Sequence, residues 1–308
     1  MRRLVVGYLA TPSGDDGLAL AIRLARTLGA HLDICMVLPP DPPGASPNSS
    51  YDDLLAVQAR KWIAAAVAAV PADVTAEGHI SFHESFAAGL IEETQRLGAL
   101  GIVVGAAGDG LLGRHSIGTV TGELLHSAPV PLALAPRGAR TSTVTRVREV
   151  TCAIGDRPGA DLLLDLAVRA SAAAGTPLRL VSLIAVDPVR AALDSARIPH
   201  AEPEPAYAAE SGDSLSERAR RHAELTLEAA KSRLPEGFPV TSLTADGATV
   251  EAAVNRLDWH DGDLIMVGSS RLAQPRRLFL GSTAAKMLRV LQVPMVVVPK
   301  EEIYEPHD

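Results

Sequence analysis

The stretch GIVVGAAGDGLLGRHSIGT, residues 101–119, decides the fold. A short apolar run leads into Gly105 and Gly108, and after nine intervening residues Gly118 and Thr119 open an apolar helical segment. In an open parallel sheet, ligands lie outside the carboxyl ends of the strands. Glycines there let the backbone approach a ligand, and the N–H groups of a helix N-terminus suit a phosphate. The stretch predicts a strand, a turn able to hold a phosphate and a helix, although a glycine-rich turn without a ligand accounts for the spacing equally well.

The stretch occurs twice. Residues 262–282, GDLIMVGSSRLAQPRRLFLGS, repeat it, with Arg271 where the first copy has Gly108. Three further pairs of identical residues are separated along the chain by the same number of positions as Gly108 and Arg271. They are Gly118 and Gly281, Pro131 and Pro294, and Pro136 and Pro299. Matches at one fixed offset indicate two copies of one unit. The front ends of the copies match at a shorter offset, so the second copy carries an insertion, predicted around Ile198 to Ser216.

Within each copy, short apolar runs alternate with segments of helical spacing. Near-continuous apolar strands between helices are typical of parallel strands in a covered sheet. The sequence therefore predicts an α/β fold of two tandem open five-stranded parallel-sheet domains with helices on both faces. The domains are predicted over residues 1–138 and 149–300, with a solvated linker at 139–148 and a tail at 301–308. The first helix is predicted over Asp16 to Leu28, ending at Gly29.

Composition narrows the function classes. The 308 residues include 29 Lys and Arg against 36 Asp and Glu, a net charge of −7, which disfavours a nonspecific nucleic-acid binder. Aromatic residues make up only 3% of the chain, too few for base-stacking platforms. No apolar run approaches the roughly 20 residues that span a bilayer, and no export signal is found. We therefore expect a cytoplasmic protein that binds neither nucleic acid nor membrane.

The sequence contains no recognisable catalytic or metal-binding motif. Cys35 and Cys152 have no nearby cysteine, which excludes a cysteine-based zinc cluster. No Gly-Lys-Ser/Thr occurs, Ser116 lacks the first glycine of a nucleophile elbow, and His83-Glu84 lacks the second histidine of a zincin helix. The sequence therefore predicts neither catalytic residues nor a metal site.

The pattern G-x2-G-x9-G-[ST], followed by an apolar helix and a Val-Pro strand, resembles the universal stress protein family. The likeness covers essentially the whole chain, as a tandem pair. It implies an adenine-nucleotide-alpha-hydrolase-like fold and a non-catalytic role in the stress response. It also implies ATP, with or without Mg²⁺, or another adenine nucleotide as ligand. Dimerisation through the last strand is implied too, as a pseudo-dimer within the chain and as a homodimer of whole chains.

The resemblance also implies the residues of two nucleotide sites. In the first copy the glycine loop would hold ribose and phosphates, an arginine would neutralise phosphate charge, and two valines would flank the adenine. That set is Val37, Val104, Gly105, Gly108, Arg114, Gly118, Thr119 and Val120. The second copy has a degenerate set, Leu183, Val267, Gly268, Arg271, Gly281, Ser282 and Thr283. The first copy is therefore expected to be the main site.

One position departs from the family pattern in both copies. Relatives that bind ATP have an Asp at the end of the first strand, where this chain has Leu9 and, in the second copy, Gly155 followed by Asp156. Leu9 cannot accept a hydrogen bond, and the loss of one such contact costs about 1–3 kcal/mol, or about tenfold to a hundredfold in affinity. Two alternatives stay open. One is an interaction module that has lost its ligand, and the other is a slow ATPase or self-phosphorylating protein with Thr119 or Ser282 as acceptor.

Overall fold

The computed structural model describes residues 1–40, 50–105, 118–155, 159–185, 215–270, 272–274 and 277–301. The predicted insertion therefore lies outside the described residues, apart from its last positions. The strands of the first half are β1 (Arg3–Gly7), β2 (His31–Leu38), β3 (Ala76–Phe82), β4 (Ile102–Gly105) and β5 (Leu132–Ala135). Those of the second half are β6 (Glu149–Ala153), β7 (Leu178–Ala185), β8 (Val240–Gly247), β9 (Asp263–Gly268) and β10 (Met295–Val298).

Helices separate most of these strands along the chain. In the first half they are α1 (Pro12–Leu28), α2 (Ser50–Ala68), α3 (Phe86–Arg96) and α4 (Thr119–Ser127). In the second half they are α5 (Ala160–Ala174), α6 (Leu215–Lys231), α7 (Val250–Val254) and α8 (Ser282–Val290). A short 3-10 turn, Ala139–Thr141, follows β5. None of the helices in the described ranges has the length and apolar character needed to cross a membrane.

The two halves form one continuous sheet. Its strand order is β3-β2-β1-β4-β5-β10-β9-β6-β7-β8. Pairing is parallel within each half, whereas β5 and β10 pair antiparallel, with Val296 opposite Ala133 and Met295 opposite Leu134. The predicted α/β class with two tandem parallel sheets is confirmed, and the pseudo-dimer implied by the resemblance is formed within the chain by the last strand of each half.

Both faces of this sheet are covered by helices, and the two cores run across the junction. One core lies under α1, α2 and α5 and includes Ala133 from β5 together with Val298 from β10. The other lies under α3, α4 and α8 and includes Leu132 from β5 together with Val297 from β10. Because each core takes residues from both halves, the junction is a part of the protein interior rather than a contact between finished domains.

Helix α1 begins earlier than its apolar spacing indicates. The predicted start at Asp16 is wrong, since the helix begins at Pro12. The Thr11 hydroxyl accepts a hydrogen bond from the Gly14 amide at 3.2 Å, and proline at the first helical position has the backbone angle that a helix requires. The polar residues before Asp16 are thus the capped first turn of the helix.

The linker between the halves is tied to α1 by its main chain. Asp16, only 1% exposed, accepts hydrogen bonds from the Gly138 amide at 2.8 Å and from the amide and guanidinium of Arg140, both at 3.0 Å. Further along, the Val147 amide donates to the Thr27 hydroxyl at 3.0 Å. Most linker side chains are exposed, as expected of a connector, but its backbone is docked rather than solvated.

Removal of the Asp16 carboxylate should destabilise the whole chain. We expect Asp16→Ala to lower the free energy of unfolding by about 2–3 kcal/mol, because it strands two linker N–H groups in a poorly solvated place. The measurement is chemical denaturation followed by circular dichroism. The matched control is Asp161→Ala, in the first turn of α5, where an 80% exposed carboxylate pairs with Arg233. In that control the free energy of unfolding should fall by less than about 1 kcal/mol. Equal losses in the two variants would contradict the role of Asp16 in holding the linker.

Candidate functional site

A cleft of about 310 Å³ opens at the carboxyl edge of the second half. It lies among the ends of β6, β7 and β9, the first residues of α5 and α8, and one side of α6. Five residues of the predicted second set line it, namely Leu183, Val267, Gly268, Gly281 and Thr283. Ser282 is the first residue of α8, and Arg271 lies outside the described residues. The structure therefore brings together most of the set that the sequence treats as degenerate.

The first half places its corresponding residues differently. Val37 and Val104 are both buried in the core under α3 and α4, with partly buried Val120 packed against that core. Gly118 precedes α4 and Thr119 begins it. Gly108 and Arg114 lie outside the described residues. Leu9, the residue in place of the family's Asp, is 43% exposed and so is available at the surface beside this edge.

The glycine that ends the fourth strand of each half shows how the two edges differ. In the first half, a Cβ added to Gly105 would lie 1.8 Å from the carbonyl oxygen of Ser13. In the second half, the nearest atom to a Cβ on Gly268 is a methyl carbon of Leu163, at 3.7 Å. The first turn of α1 therefore occupies the space beside β4 that stays open beside β9.

A longer connection accounts for the open cleft. Helix α1 begins at Pro12, close behind the end of β1 at Gly7, whereas α5 begins at Ala160 after β6 ends at Ala153. The connection has four residues in the first half and six in the second, of which 156–158 lie outside the described residues. Gly159 has a φ of +88°, and a Cβ there would lie 2.9 Å from the Cα of Lys300. This close approach sets Lys300, which follows β10, into the lining of the cleft.

The polar lining of the cleft favours an anionic ligand. Its titratable side chains are Lys300, whose ammonium donates to the Ala273 carbonyl at 3.2 Å, and His222 on α6. Ser182, Thr226 and Thr283 add hydroxyl groups, and the described lining contains no carboxylate. Lys300 and His222 were not among the residues predicted from the sequence, since neither belongs to the glycine pattern. A signal for Lys300 was present, because it directly follows the Val-Pro strand, whose carboxyl end must lie at the ligand edge.

The start of α8 adds a second positive element. Gly281 is its N-cap residue and supplies no side-chain hydrogen bond to the first turn. The leading N–H groups of a helix have no partner within the helix and form the positive end of its dipole. Since Gly281 and Thr283 line the cleft, these N–H groups and the ammonium of Lys300 act on the same space.

The glycine loop of the second half is held in part by the first half. The Phe279 amide donates to the Ser269 hydroxyl at 2.8 Å. The Leu278 and Leu280 amides donate to the carbonyls of Ala128 and Leu125 at the end of α4, at 2.9 and 3.1 Å. The rings of Phe279 and His126 meet edge to face, with centroids 4.9 Å apart. Helix α4, which belongs to the first half, therefore ends against the glycine loop of the second half.

The two cysteine thiols are not activated as nucleophiles. Both Cys35 and Cys152 are buried. Burial raises the pKa of the Cys152 thiol to about 12, and burial followed by the charge of Glu93 raises that of Cys35. Since the thiolate is the nucleophile, neither cysteine is equipped for covalent catalysis at neutral pH.

Comparisons with known proteins agree with the geometry. The model of the universal stress protein family matches residues 1–136 and 146–299. A universal stress protein of Mycobacterium tuberculosis is 28% identical over 302 residues, which cover 96% of this chain and 99% of that protein. A universal stress protein structure from Archaeoglobus fulgidus covers 97% of this chain and 98% of its own, at 16% identity and a TM-score of 0.62. A putative member from Pseudomonas aeruginosa covers 97% of this chain and 93% of its own, at 14% identity and a TM-score of 0.55. At these identities the solved structures show the fold alone.

The equivalent glycines give a matched test of the difference between the two edges. We expect Gly105→Ala to lower the free energy of unfolding by at least about 2 kcal/mol, because its Cβ collides with backbone that cannot move alone. Gly268→Ala should stay within about 0.5 kcal/mol of the original chain, since the added methyl group meets only ordinary contacts. Thermal and chemical denaturation measure both variants. A large cost at Gly268 would mean that the second cleft is not open.

Tyr8, just after β1, provides a test by pH. Burial, followed by the charge of Asp15 and its hydrogen bond, raises the pKa of the phenol from 10.0 to about 12. The folded chain keeps this proton while the unfolded chain loses it, so the free energy of unfolding should fall as pH rises through that window. Tyr8→Phe should remove this part of the pH dependence, and Asp15→Asn should reduce it. Tyrosinate absorbance follows the ionisation, and a Tyr8 phenol that titrates at its ordinary value would contradict the expectation.

Proposed function

Because this chain belongs to the universal stress protein family, we propose that it binds an adenine nucleotide without catalysing its turnover, and that the cleft of the second half is the main site. The observation that carries the proposal is the cleft itself, an anion-favouring hollow at the ligand edge of a parallel sheet. Its volume of about 310 Å³ falls within the range of small-molecule pockets, about 300–1,000 Å³. The resemblance to the family, which implies a nucleotide at the glycine pattern, supports the proposal.

Each part of a nucleotide has a partner of suitable chemistry in the cleft. Leu183 and Val267 offer apolar surface to a base, and the Ser182 and Thr226 hydroxyls can bond its polar edge or the ribose. The backbone at Gly268 and Gly281 approaches the ligand without side chains. The N-terminus of α8 and the ammonium of Lys300 balance phosphate charge.

The same lining supports binding rather than hydrolysis. A hydrolase needs a general base or a metal site to activate water. The described lining has no carboxylate to hold Mg²⁺ or to act as a general base. A nucleotide held in this way acts by favouring the conformation that binds it better.

The preference for the second half departs from the sequence-based expectation. That expectation rested on Gly108 and on the arginine at position 271. Among the described residues, the first turn of α1 is packed against β4, whereas the edge beside β9 is open. The first half remains a second candidate site, and the number of nucleotides bound per chain tells the two apart.

Whole-chain dimers need a surface other than the one implied by the resemblance. Strands β5 and β10 already pair with each other, so neither has a free edge for a second copy. A homodimer of whole chains would therefore use the outer strands β3 and β8 or a helical face. Location in the cytoplasm stays a prediction from the sequence.

Calorimetric titration of the full chain with ATP, ADP and AMP tests the proposal. We expect binding with Lys300→Ala weaker by about tenfold to a hundredfold, the usual effect of losing a hydrogen bond to a charged group. Lys286→Ala is the matched control, because Lys286 is an exposed lysine on α8 that does not line the cleft. It should leave the affinity unchanged.

Three other outcomes would revise the proposal. Absence of heat at millimolar nucleotide would favour an interaction module that has lost its ligand. Release of phosphate from ATP, or label that disappears in Thr119→Ala and Ser282→Ala, would favour the enzymatic alternative. Binding unaffected by Lys300→Ala would move the site to the first half.

A further inference from the structure

A cluster of histidines and carboxylates lies at the amino ends of the strands, the opposite edge of the sheet from the cleft. It stands at the amino ends of β1, β2 and β3. His31 and Asp33 share one face of β2, since they are two residues apart, and Glu77 of β3 lies opposite Asp33 in the strand register. His79, two residues beyond Glu77, lies on the same face. None of these residues belongs to the glycine pattern.

Asp33 is fixed at the centre of this cluster. Its side chain is 0% exposed. Arg3 makes two hydrogen bonds to it, one of them from Nε to Oδ2 at 2.8 Å, and the His79 Nε2 lies 2.8 Å from Oδ1. Arg3 therefore balances the charge of Asp33, and His79 helps to orient it. A carboxylate held in this way is a ligand atom in a defined position.

His31 directs an unsatisfied nitrogen toward the two carboxylates. Its Nδ1 lies 2.9 Å from the Thr75 hydroxyl. Its Nε2 is buried and has no hydrogen-bond partner within the described part of the chain, and it lies 3.7 Å from Asp33 Oδ1. When the ring donates its Nδ1–H to Thr75, the Nε2 lone pair faces the carboxylates. Histidine ligands of metal ions are held in this way through their second nitrogen.

Three possible donor atoms thus converge at this place. One from each of His31, Asp33 and Glu77 all lie within 4.8 Å of one another. A buried imidazole lone pair that faces carboxylate oxygens is unfavourable unless a proton or a cation lies between them. One imidazole nitrogen with carboxylate oxygens is a donor set typical of zinc and neighbouring divalent metals.

The second half supplies an internal comparison. Glu149 on β6 and Arg179 on β7 stand where the first half has Arg3 and Asp33, and they pair at 2.9 Å. The ion pair is present with its charges exchanged, and no histidine lies on β7 or β8. The second half thus keeps an ion pair at this place without any histidine beside it on β7 or β8. His31 and His79 distinguish the first half from the second.

We propose that His31, Asp33 and Glu77 bind one divalent transition-metal ion with the preferences of Zn²⁺, while Arg3 and His79 position Asp33. The ion would join the amino ends of β2 and β3, on the side away from the nucleotide edge. The positive charge of Arg3 competes with the cation, so the affinity is below that of a dedicated structural zinc site. A ligand that binds only the folded chain also raises the temperature of unfolding.

Metal titration of the tag-free, EDTA-treated full chain tests the site. Zn²⁺ is followed by calorimetry, and Co²⁺ by its visible absorbance. We expect one ion per chain, with affinity at least about tenfold lower in His31→Gln and in Glu77→Gln. His260→Gln is the matched control, since this ring is 73% exposed and lies 3.6 Å from Asp263 in the second half. It removes a histidine beside a carboxylate, yet should leave binding unchanged.

The proposal is overturned by any of three results. These are no binding of Zn²⁺ or Co²⁺ by the original chain, equal affinity in the original chain and the Glu77→Gln variant, and a His31 ring that takes up a proton by NMR with no response to Zn²⁺. Glu77 is exposed, so its replacement leaves the fold intact and decides the question even if His31→Gln fails to fold.

Discussion

The antiparallel pairing of β5 with β10 is the contact on which the other features of this structure depend. It turns two five-stranded sheets into one and lets apolar residues of both halves share each core. It also sets the end of α4 beside the glycine loop of the second half, where backbone hydrogen bonds and the Phe279 ring hold that loop. A tandem chain supplies both partners of this pairing itself, so the junction forms without a second copy.

Two copies of one pattern give two different ligand edges. The glycines at 105 and 268 occupy equivalent places, but only the first is pressed against the first turn of the helix that follows the first strand of its half. The difference arises in the connection between the first strand and first helix of each half, far from the glycines in sequence. A complete glycine pattern can therefore lack room for a ligand, and a degenerate pattern can have it. The volume of the site depends on the residues that pack against the glycines.

The amino ends of the strands show a similar divergence. Both halves keep a partly buried ion pair between their first two strands, Arg3 with Asp33 and Glu149 with Arg179, with the charges exchanged. A buried charge without its partner is costly, whereas exchange of the two charges preserves the pairing. The first half adds His31 and His79 around its carboxylate. The donor groups there come from two strands, and no local spacing in the sequence connects His31 and Asp33 with Glu77.

The sequence by itself determined the α/β class, the tandem repeat and nearly every strand, because apolar periodicity and the glycine pattern are local properties of the chain. It also identified Leu183, Val267, Gly268, Gly281 and Thr283, which the structure gathers in one cleft. It could not identify Lys300, the docking of the linker on Asp16 or the convergence of His31 with Glu77. Only the tertiary structure decided these, since each depends on segments distant in the chain that become neighbours once the strands take their order in the sheet.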